Sequence, residues 1–253
     1  MEERIRKRKI VLVGTGFVGM SFAYSLLSEK GINELVLIDM NKDKAVGEQM
    51  DLSDGLPYAD SKMTIKAGEY EECGDADIVV ITAGAAQKPG QTRLELVGIN
   101  ARITKDVATQ VKNSGFKGIL VVASNPVDIM TYVAYKASGL PKEHVIGSGT
   151  ILDTAPRLRY NISKRLGMAP SNVHAYILGE HGDSSFVPWI HCYLGCKNLL
   201  EYIDEEDNLT LEDLQNIYME VRNAAYEIID RKKATCYGIG LALKRLISCL
   251  LND

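Results

Sequence analysis

Paired cysteines, long apolar runs and an excess of positive charge are all missing from this chain, and each absence removes a class of function. The five cysteines, Cys73, Cys192, Cys196, Cys236 and Cys249, are odd in number and form no C-x-x-C pair. That spacing argues against a zinc knuckle and against a disulfide framework, and for a reducing cytoplasm. No apolar stretch approaches the roughly 20 residues that span a bilayer, so no membrane partner is expected. The N-terminal MEERIRKRK is basic, but the run after it, Ile10 to Val13, is far shorter than a signal-peptide core and ends at Gly14. It reads as a solvated lead-in to a first strand. A net charge of -4 has the wrong sign for a general nucleic-acid binder, whose phosphate contacts need surplus Lys and Arg. What remains is an ordinary globular composition, 46% hydrophobic and 25% charged over 253 residues, enough for one large or two modest domains.

The first half alternates two patterns. Nearly all-apolar, β-branched runs, KIVLVG at 9 to 14, ELVLID at 34 to 39, ADIVVITAG at 76 to 84 and GILVVAS at 118 to 124, read as strands buried on both faces. Between them, Ile99, Ile103, Val107 and Val111 recur at four-residue spacing and predict a helix from Arg93 to Val111. Right-handed crossovers then give an α/β fold with a doubly wound parallel sheet.

On the first strand–helix turn sits Gly14-Thr15-Gly16-Phe17-Val18-Gly19, a G-x-G-x-x-G that opens a helix expected over Phe17 to Lys30. Such glycines permit a tight turn, close approach of a pyrophosphate and close helix–strand packing, while the helix start offers free N–H groups. Asp39, at the end of the second strand, is placed to accept both ribose hydroxyls and to repel a 2′-phosphate, which selects NAD over NADP.

Further residues lie on loops that the doubly wound rule brings to the ligand crevice. Ala85 to Arg93 is punctuated by Pro89 and Gly90 and could act as a lid; Arg93 is either a solvated helix-start arginine or a charge carried onto substrate. Asn125, before Pro126, is either a turn former or an amide that fixes nicotinamide or substrate. Asp153 and Arg157 are four apart, on one face of a helix, and form either a surface ion pair or two tools. In the second case Asp153 accepts the Nδ1 proton of His181 and Arg157 clamps a substrate carboxylate. His181 itself, in LGEHGDSS at 178 to 185 after the apolar VHAYI, reads as a general base delivered into a cleft.

GTGFVG, ITAGAAQKPGQTR, ASNPVD, VIGSGTILDTA, HAYILGEHGDSS and ATCYGIG, in this order, resemble the NAD-dependent L-lactate dehydrogenases of the lactate/malate dehydrogenase superfamily. The resemblance implies an NAD-binding domain over 1–146 and a smaller α+β substrate domain over 147–253. It implies that His181 gives a proton to the pyruvate carbonyl oxygen as hydride arrives, and takes it back in lactate oxidation. Arg93 would polarise the carbonyl, and Thr235 would lie near the substrate carboxylate. Phe17, Val18, Thr82, Ala83, Gly84, Asn125 and Ile239 would join the three glycines and Asp39 around the cofactor. Gln87 stands where the malate enzymes place an arginine, so pyruvate is favoured over oxaloacetate. Arg159 and His174 match an interface pair that binds fructose 1,6-bisphosphate in activated bacterial members, which are homotetramers of glycolysis and fermentation.

Two departures accompany the resemblance. Pro156 is inserted before the arginine; inside a helix it would cost about 3 kcal/mol and turn everything beyond it by about 100°. The chain also stops early relative to the family, so Leu246, Ile247, Leu250 and Leu251 are expected to be exposed. Thr210-Leu211-Glu212-Asp213 is expected to open a long helix with Leu214, Ile217, Val221, Ala225 and Ile228 as its apolar stripe, followed by a second apolar helix after Gly240. Three readings stay open: an active L-lactate dehydrogenase, an NAD-binding remnant without activity, and a malate dehydrogenase.

Overall fold

The computed structural model describes residues 8–85, 93–203 and 209–252, Arg93 by its backbone alone. The chain divides into two compact units, one running through Ser148 and resuming at Ile239, the other Gly149–Gly238. The first unit therefore takes back the end of the chain, where the sequence reading kept 147–253 together.

The first unit is built on a six-stranded, wholly parallel sheet in the order β3-β2-β1-β4-β5-β6. Its strands are β1 (Lys9–Val13), β2 (Glu34–Ile38), β3 (Thr64–Ala67), β4 (Ile78–Ile81), β5 (Ile119–Val122) and β6 (Val145–Gly147). The four runs read from the sequence are β1, β2, β4 and β5. The other two escaped notice because Thr64-Ile65-Lys66-Ala67 carries an exposed threonine and a lysine, and Val145-Ile146-Gly147 is too short to show a period.

Successive strand side chains point to opposite faces, and each face has its own core. Ile10, Leu12, Leu35, Leu37, Ile78, Val80 and Val121 meet Phe22, Ala23 and Leu26 of α1 (Phe17–Leu26) and Ile239, Leu243 and Ile247 of the last helix. Val11, Val13, Val36, Ile38, Val79, Ile81, Leu120 and Val122 meet Val107, Ala108 and Val111 of α3 (Arg93–Asn113) and Met130 and Ala134 of α4 (Val127–Ser138). Between β2 and β3 lies α2 (Lys42–Asp54), whose N-cap Asn41 accepts from the Lys44 N–H.

Three helices depart from expectation. α1 stops at Leu26 rather than Lys30, where the hydroxyls of Ser25 and Ser28 take the carbonyls of Phe22 and Ser25 at 2.7 and 2.9 Å and compete with further helix. On α3 the buried face is Asn100, Thr104, Val107, Ala108 and Val111, so Ile99 and Ile103 sit at its margin. The last helix begins at Tyr237, before Gly240, and Ile247 is fully buried while Leu246, Leu250 and Leu251 are half-buried against the same core. The expected exposure of these residues is thus overturned, because α1 and the sheet cover them.

The second unit holds α5 (Gly149–Asp153), α6 (Ala155–Leu166), a three-stranded antiparallel sheet of β7 (Val173–His174), β8 (Tyr193–Leu194) and β9 (Lys197–Asn198), and α7 (Leu211–Lys232). The last helix is α8 (Tyr237–Asn252). Leu158 and Ile162 of α6, Val173, Ile177 and Leu194, and Leu214, Ile217 and Val221 of α7 form the core of this unit. α7 opens as expected: Thr210 and Asp213 make a reciprocal capping box, each side chain accepting the other's backbone N–H. Ala225 and Ile228 on its stripe are only half-buried.

Pro156 does not sit in a helix interior. Thr154 separates α5 from α6 and acts as N-cap, which puts Pro156 in the first turn of α6. There the missing N–H has no intrahelical partner to lose. Asp153 and Arg157 accordingly belong to different helices, not to one face of a single helix.

Candidate active site

Each glycine of the turn after β1 has a distinct steric cause. Gly14 adopts φ +104°, and a Cβ there would lie 2.6 Å from the Ala83 nitrogen. At Gly19 a Cβ would lie 2.1 Å from the Gly14 carbonyl oxygen and 2.7 Å from the Thr82 hydroxyl. Thr82 holds the turn from the neighbouring strand end, its hydroxyl donating to the Gly14 carbonyl at 2.7 Å. Gly16 is different: nothing lies within 4 Å of its would-be Cβ, and it caps α1 without any side-chain bond. The start of α1 is therefore uncapped beside a backbone that an anion can approach closely at Gly16. Phe17 is 73% exposed at this edge, and Val18 is half-buried.

Asp39 follows β2 and is held from several sides. Its Oδ2 accepts from the Thr15 N–H at 2.7 Å and the Thr15 hydroxyl at 2.9 Å; Oδ1 accepts from the Asn41 N–H at 2.9 Å. Burial by itself would raise the pKa of this carboxyl, but these donors and the nearby Lys44 ammonium outweigh it and hold the group below its ordinary value. Lys44 donates to the Thr15 carbonyl, which locks the turn to α2. An ionised carboxylate has about four lone-pair positions, so Oδ1 keeps one beyond those three bonds for a ribose hydroxyl. The open Gly16, the uncapped helix start and the anionic Asp39 thus fit a dinucleotide.

Across the sheet, Asn100 joins two crevice loops. Its Oδ1 accepts from the Ala85 N–H at 2.8 Å, and its Nδ2 donates to the Asn125 carbonyl at 2.8 Å. It is 3% exposed, and Gly84 packs beside it with a would-be Cβ 3.5 Å from Oδ1. The Asn125 residue is exposed next to this strut. Ile239 is 7% exposed within the core formed by α1 and the sheet. Gln87 lies outside the described residues, and so does the side chain of Arg93, whose backbone opens α3.

In the second unit, Asp153 at the end of α5 reaches His181 in the loop beyond β7, with Oδ2 3.2 Å from Nε2. Both side chains are largely buried, at 22% and 17% exposure, so the pair is shielded but reachable. The partnership is the expected one, but the nitrogen is not: Nε2 faces the carboxylate, and Nδ1 lies 3.4 Å from the Thr154 hydroxyl. A half-turn of the ring about χ2 exchanges the two nitrogens, and local sequence carries no information about that angle.

Arg157 is half-buried on α6 and donates to the Val221 carbonyl of α7 at 3.2 Å. Thr235 is half-buried in the turn between α7 and α8. Arg159 is half-buried on α6, and His174 is exposed on β7. Sequence reasoning passed over Thr15, Lys44, Asn100 and Thr154. Of these only Asn100 left a signal, as a polar residue in register with the apolar face of α3, at 100, 104, 107 and 111.

Models of the lactate/malate dehydrogenase family match the chain throughout: the NAD-binding domain over residues 8–147 and the alpha/beta C-terminal domain over residues 150–253. The L-lactate dehydrogenase of Lactococcus lactis subsp. cremoris is 52% identical over 250 residues, covering 99% of this chain and 79% of the relative. A lactate dehydrogenase enzyme from a Medee basin deep-sea metagenome library superposes with a TM-score of 0.94 at 55% identity, over 98% of this chain and 79% of that one. The minor L-lactate dehydrogenase of Enterococcus mundtii, in its ligands-bound form, gives a TM-score of 0.94 at 51% identity over the same shares, 98% and 79%.

Proposed function

The chain belongs to the lactate/malate dehydrogenase family of NAD-dependent oxidoreductases, and from that membership we propose that it is an L-lactate dehydrogenase interconverting pyruvate and L-lactate. The observation that carries the residue assignment is the 3.2 Å pair of Asp153 and His181, a carboxylate set against an imidazole, a side chain suited to move a proton near neutral pH.

NAD, when bound, supplies or accepts the hydride. His181 gives its proton to the carbonyl oxygen of pyruvate and recovers it from the hydroxyl of lactate. Asp153 orients the ring and offsets the charge of the imidazolium. The nitrogen turned away from Asp153 is the one that meets substrate, and the Thr154 hydroxyl 3.4 Å from it marks a hydrogen-bonding position there. Arg157 and Thr235 take the substrate carboxylate; a guanidinium has five donors, so its bond to the Val221 carbonyl leaves others for that task. Arg93 polarises the carbonyl, Asn125 fixes nicotinamide or substrate by its amide, and Ile239 supports the nicotinamide face. Gln87, lacking a positive charge, leaves the second carboxylate of oxaloacetate unpaired. Residues 1–146 thereby bind the cofactor, with Gly14, Gly16, Phe17, Val18, Gly19, Asp39, Thr82, Ala83 and Gly84 around it, and 147–253 shape the substrate pocket.

The same reading makes the protein a cytoplasmic homotetramer of fermentative glycolysis. Arg159 and His174 are its site for fructose 1,6-bisphosphate: cationic side chains facing their copies repel until a bisphosphate neutralises them. If Arg159→Leu retains full activation by the bisphosphate, that assignment is wrong.

The deciding experiment follows NADH absorbance with pyruvate and then oxaloacetate, each with and without fructose 1,6-bisphosphate. Turnover of pyruvate far above oxaloacetate is expected, and His181→Asn should lower it by about a thousandfold while NADH still binds. Preference for oxaloacetate would make it a malate dehydrogenase; NADH binding without turnover of either would make it a remnant.

A further inference from the structure

We propose that Tyr218 is a positioning residue that holds the His181 loop in register from α7, with Tyr226 as a second, weaker tie. This rests on His181 being the proton carrier.

The loop from Leu178 to Phe186 is closed at its neck by two backbone bonds, Leu178 N–H to the Phe186 carbonyl at 2.9 Å and Phe186 N–H to the Leu178 carbonyl at 3.0 Å. Inside it, the Gly182 N–H donates to the Glu180 carbonyl at 2.8 Å and the Ser184 hydroxyl to the Glu180 carboxylate at 2.7 Å. These bonds shape the loop but tie it to nothing outside itself. A glycine at φ +91°, Gly179, and a second glycine, Gly182, flank the Glu180-His181 step, so the backbone around the histidine has little intrinsic stiffness.

Besides the contacts of His181 itself with Asp153 and Thr154, a tie to the loop comes from α7. The Tyr218 hydroxyl donates to the Ser185 carbonyl, and the Ser185 hydroxyl lies 3.4 Å from the same phenol oxygen. Ser185 is 8% exposed, so its carbonyl would lose a shielded partner if the phenol were removed. Two turns further along, the Tyr226 hydroxyl reaches Asp183 at 3.4 Å. Between them, the Val221 carbonyl receives Arg157 at 3.2 Å, and the Arg222 guanidinium lies 5.9 Å from the centre of the Tyr218 ring. Positions 218, 221, 222 and 226 share one side of a helix. One face of α7 thus registers the histidine loop and the proposed carboxylate clamp against each other.

Tyr218→Phe removes one hydroxyl and keeps the ring. In the full chain it should speed amide exchange across 179–186 by about fivefold, the factor that a lost bond of about 1 kcal/mol corresponds to. Exchange in β1, β4 and β5 and the Kd for NADH should not change, and the melting temperature should fall by no more than about 2–4 °C. Pyruvate turnover should drop by about tenfold in kcat with a smaller change in KM, and Tyr226→Phe should show the same pattern more weakly. Unchanged exchange in 179–186 would overturn the tie, and faster exchange with unchanged kcat would overturn its service to His181. Should the unaltered protein fail to reduce pyruvate, the catalytic reading fails instead. The tie is then judged by the exchange data and by whether the His181 ring resonance broadens in Tyr218→Phe; a ring signal that stays sharp would refute it.

Discussion

Thr15 donates to Asp39 twice, through its backbone N–H at 2.7 Å and its hydroxyl at 2.9 Å, and both bonds end on the same oxygen, Oδ2. The glycine-rich turn after β1 and the acid after β2 are therefore one assembled unit before any cofactor arrives. Thr15 itself is fully buried. Pre-assembly of this kind lowers the ordering cost of binding.

Asp39→Asn removes the charge that those donors serve. NADH affinity should fall by about tenfold or more, given roughly 1.5–3 kcal/mol for hydrogen bonds to an ionised group, and the preference for NADH over NADPH should narrow. The pH dependence has a defined sign. The folded-state pKa of Asp39 is depressed, so its contribution is complete above the unfolded value and is lost as pH falls through the folded one. Thermal melts of the two proteins should differ near neutral pH and converge in acid, below the ordinary aspartate range. Melting curves that stay parallel to low pH would refute the assignment.

Gly16 and Gly19 should separate binding from folding. Gly19→Ala forces a methyl to 2.1 Å from a backbone oxygen, and the turn must give way. A loss of at least about 1–3 kcal/mol in urea unfolding is expected. Gly16→Ala meets nothing within 4 Å and should hold its stability within about 0.5 kcal/mol, yet bind NADH more weakly because the methyl fills the space of the pyrophosphate. Equal effects from the two substitutions on both readouts would contradict these separate roles.

Pro156→Ala tests the break between α5 and α6. With the proline in the first turn, its replacement should change unfolding free energy by less than about 1 kcal/mol. A gain of about 3 kcal/mol would mean that the proline interrupts a helix that could otherwise run on.

Ile247→Ala should cost about 2–5 kcal/mol, because Ile247 is fully buried against α1 and the sheet. Leu241→Ala, at a residue 61% exposed on the same helix, should stay within about 0.5 kcal/mol. Comparable losses at both positions would mean that α8 is not docked by this face.

Much of the first unit was legible because its signals are local. A strand buried on both faces must be apolar at every position, and β1, β2, β4 and β5 announce themselves that way. Thr64–Ala67 and Val145–Gly147 became strands only because β2 and β5 offered free edges to pair with. The Asp153–His181 pair was read correctly as a pair, while the nitrogen that makes the contact was not, since a ring torsion depends on neighbours such as Thr154. Pro156 misled for a related reason. A proline's cost depends on whether its N–H position lies in a first turn or an interior one, and tertiary packing sets that boundary.

The sequence by itself determined the turn after β1, the acid at the end of β2, the alternation of strand and helix, and the placement of His181 between glycines. Each of these follows from the steric and hydrogen-bonding character of residues adjacent in the chain. Only the tertiary structure decided that Thr15 serves Asp39, that Asn100 joins the loops at Ala85 and Asn125, that α8 returns to the first unit, and that Tyr218 holds Ser185. Those relationships join residues far apart along the chain, and such contacts are set by how whole elements pack against one another.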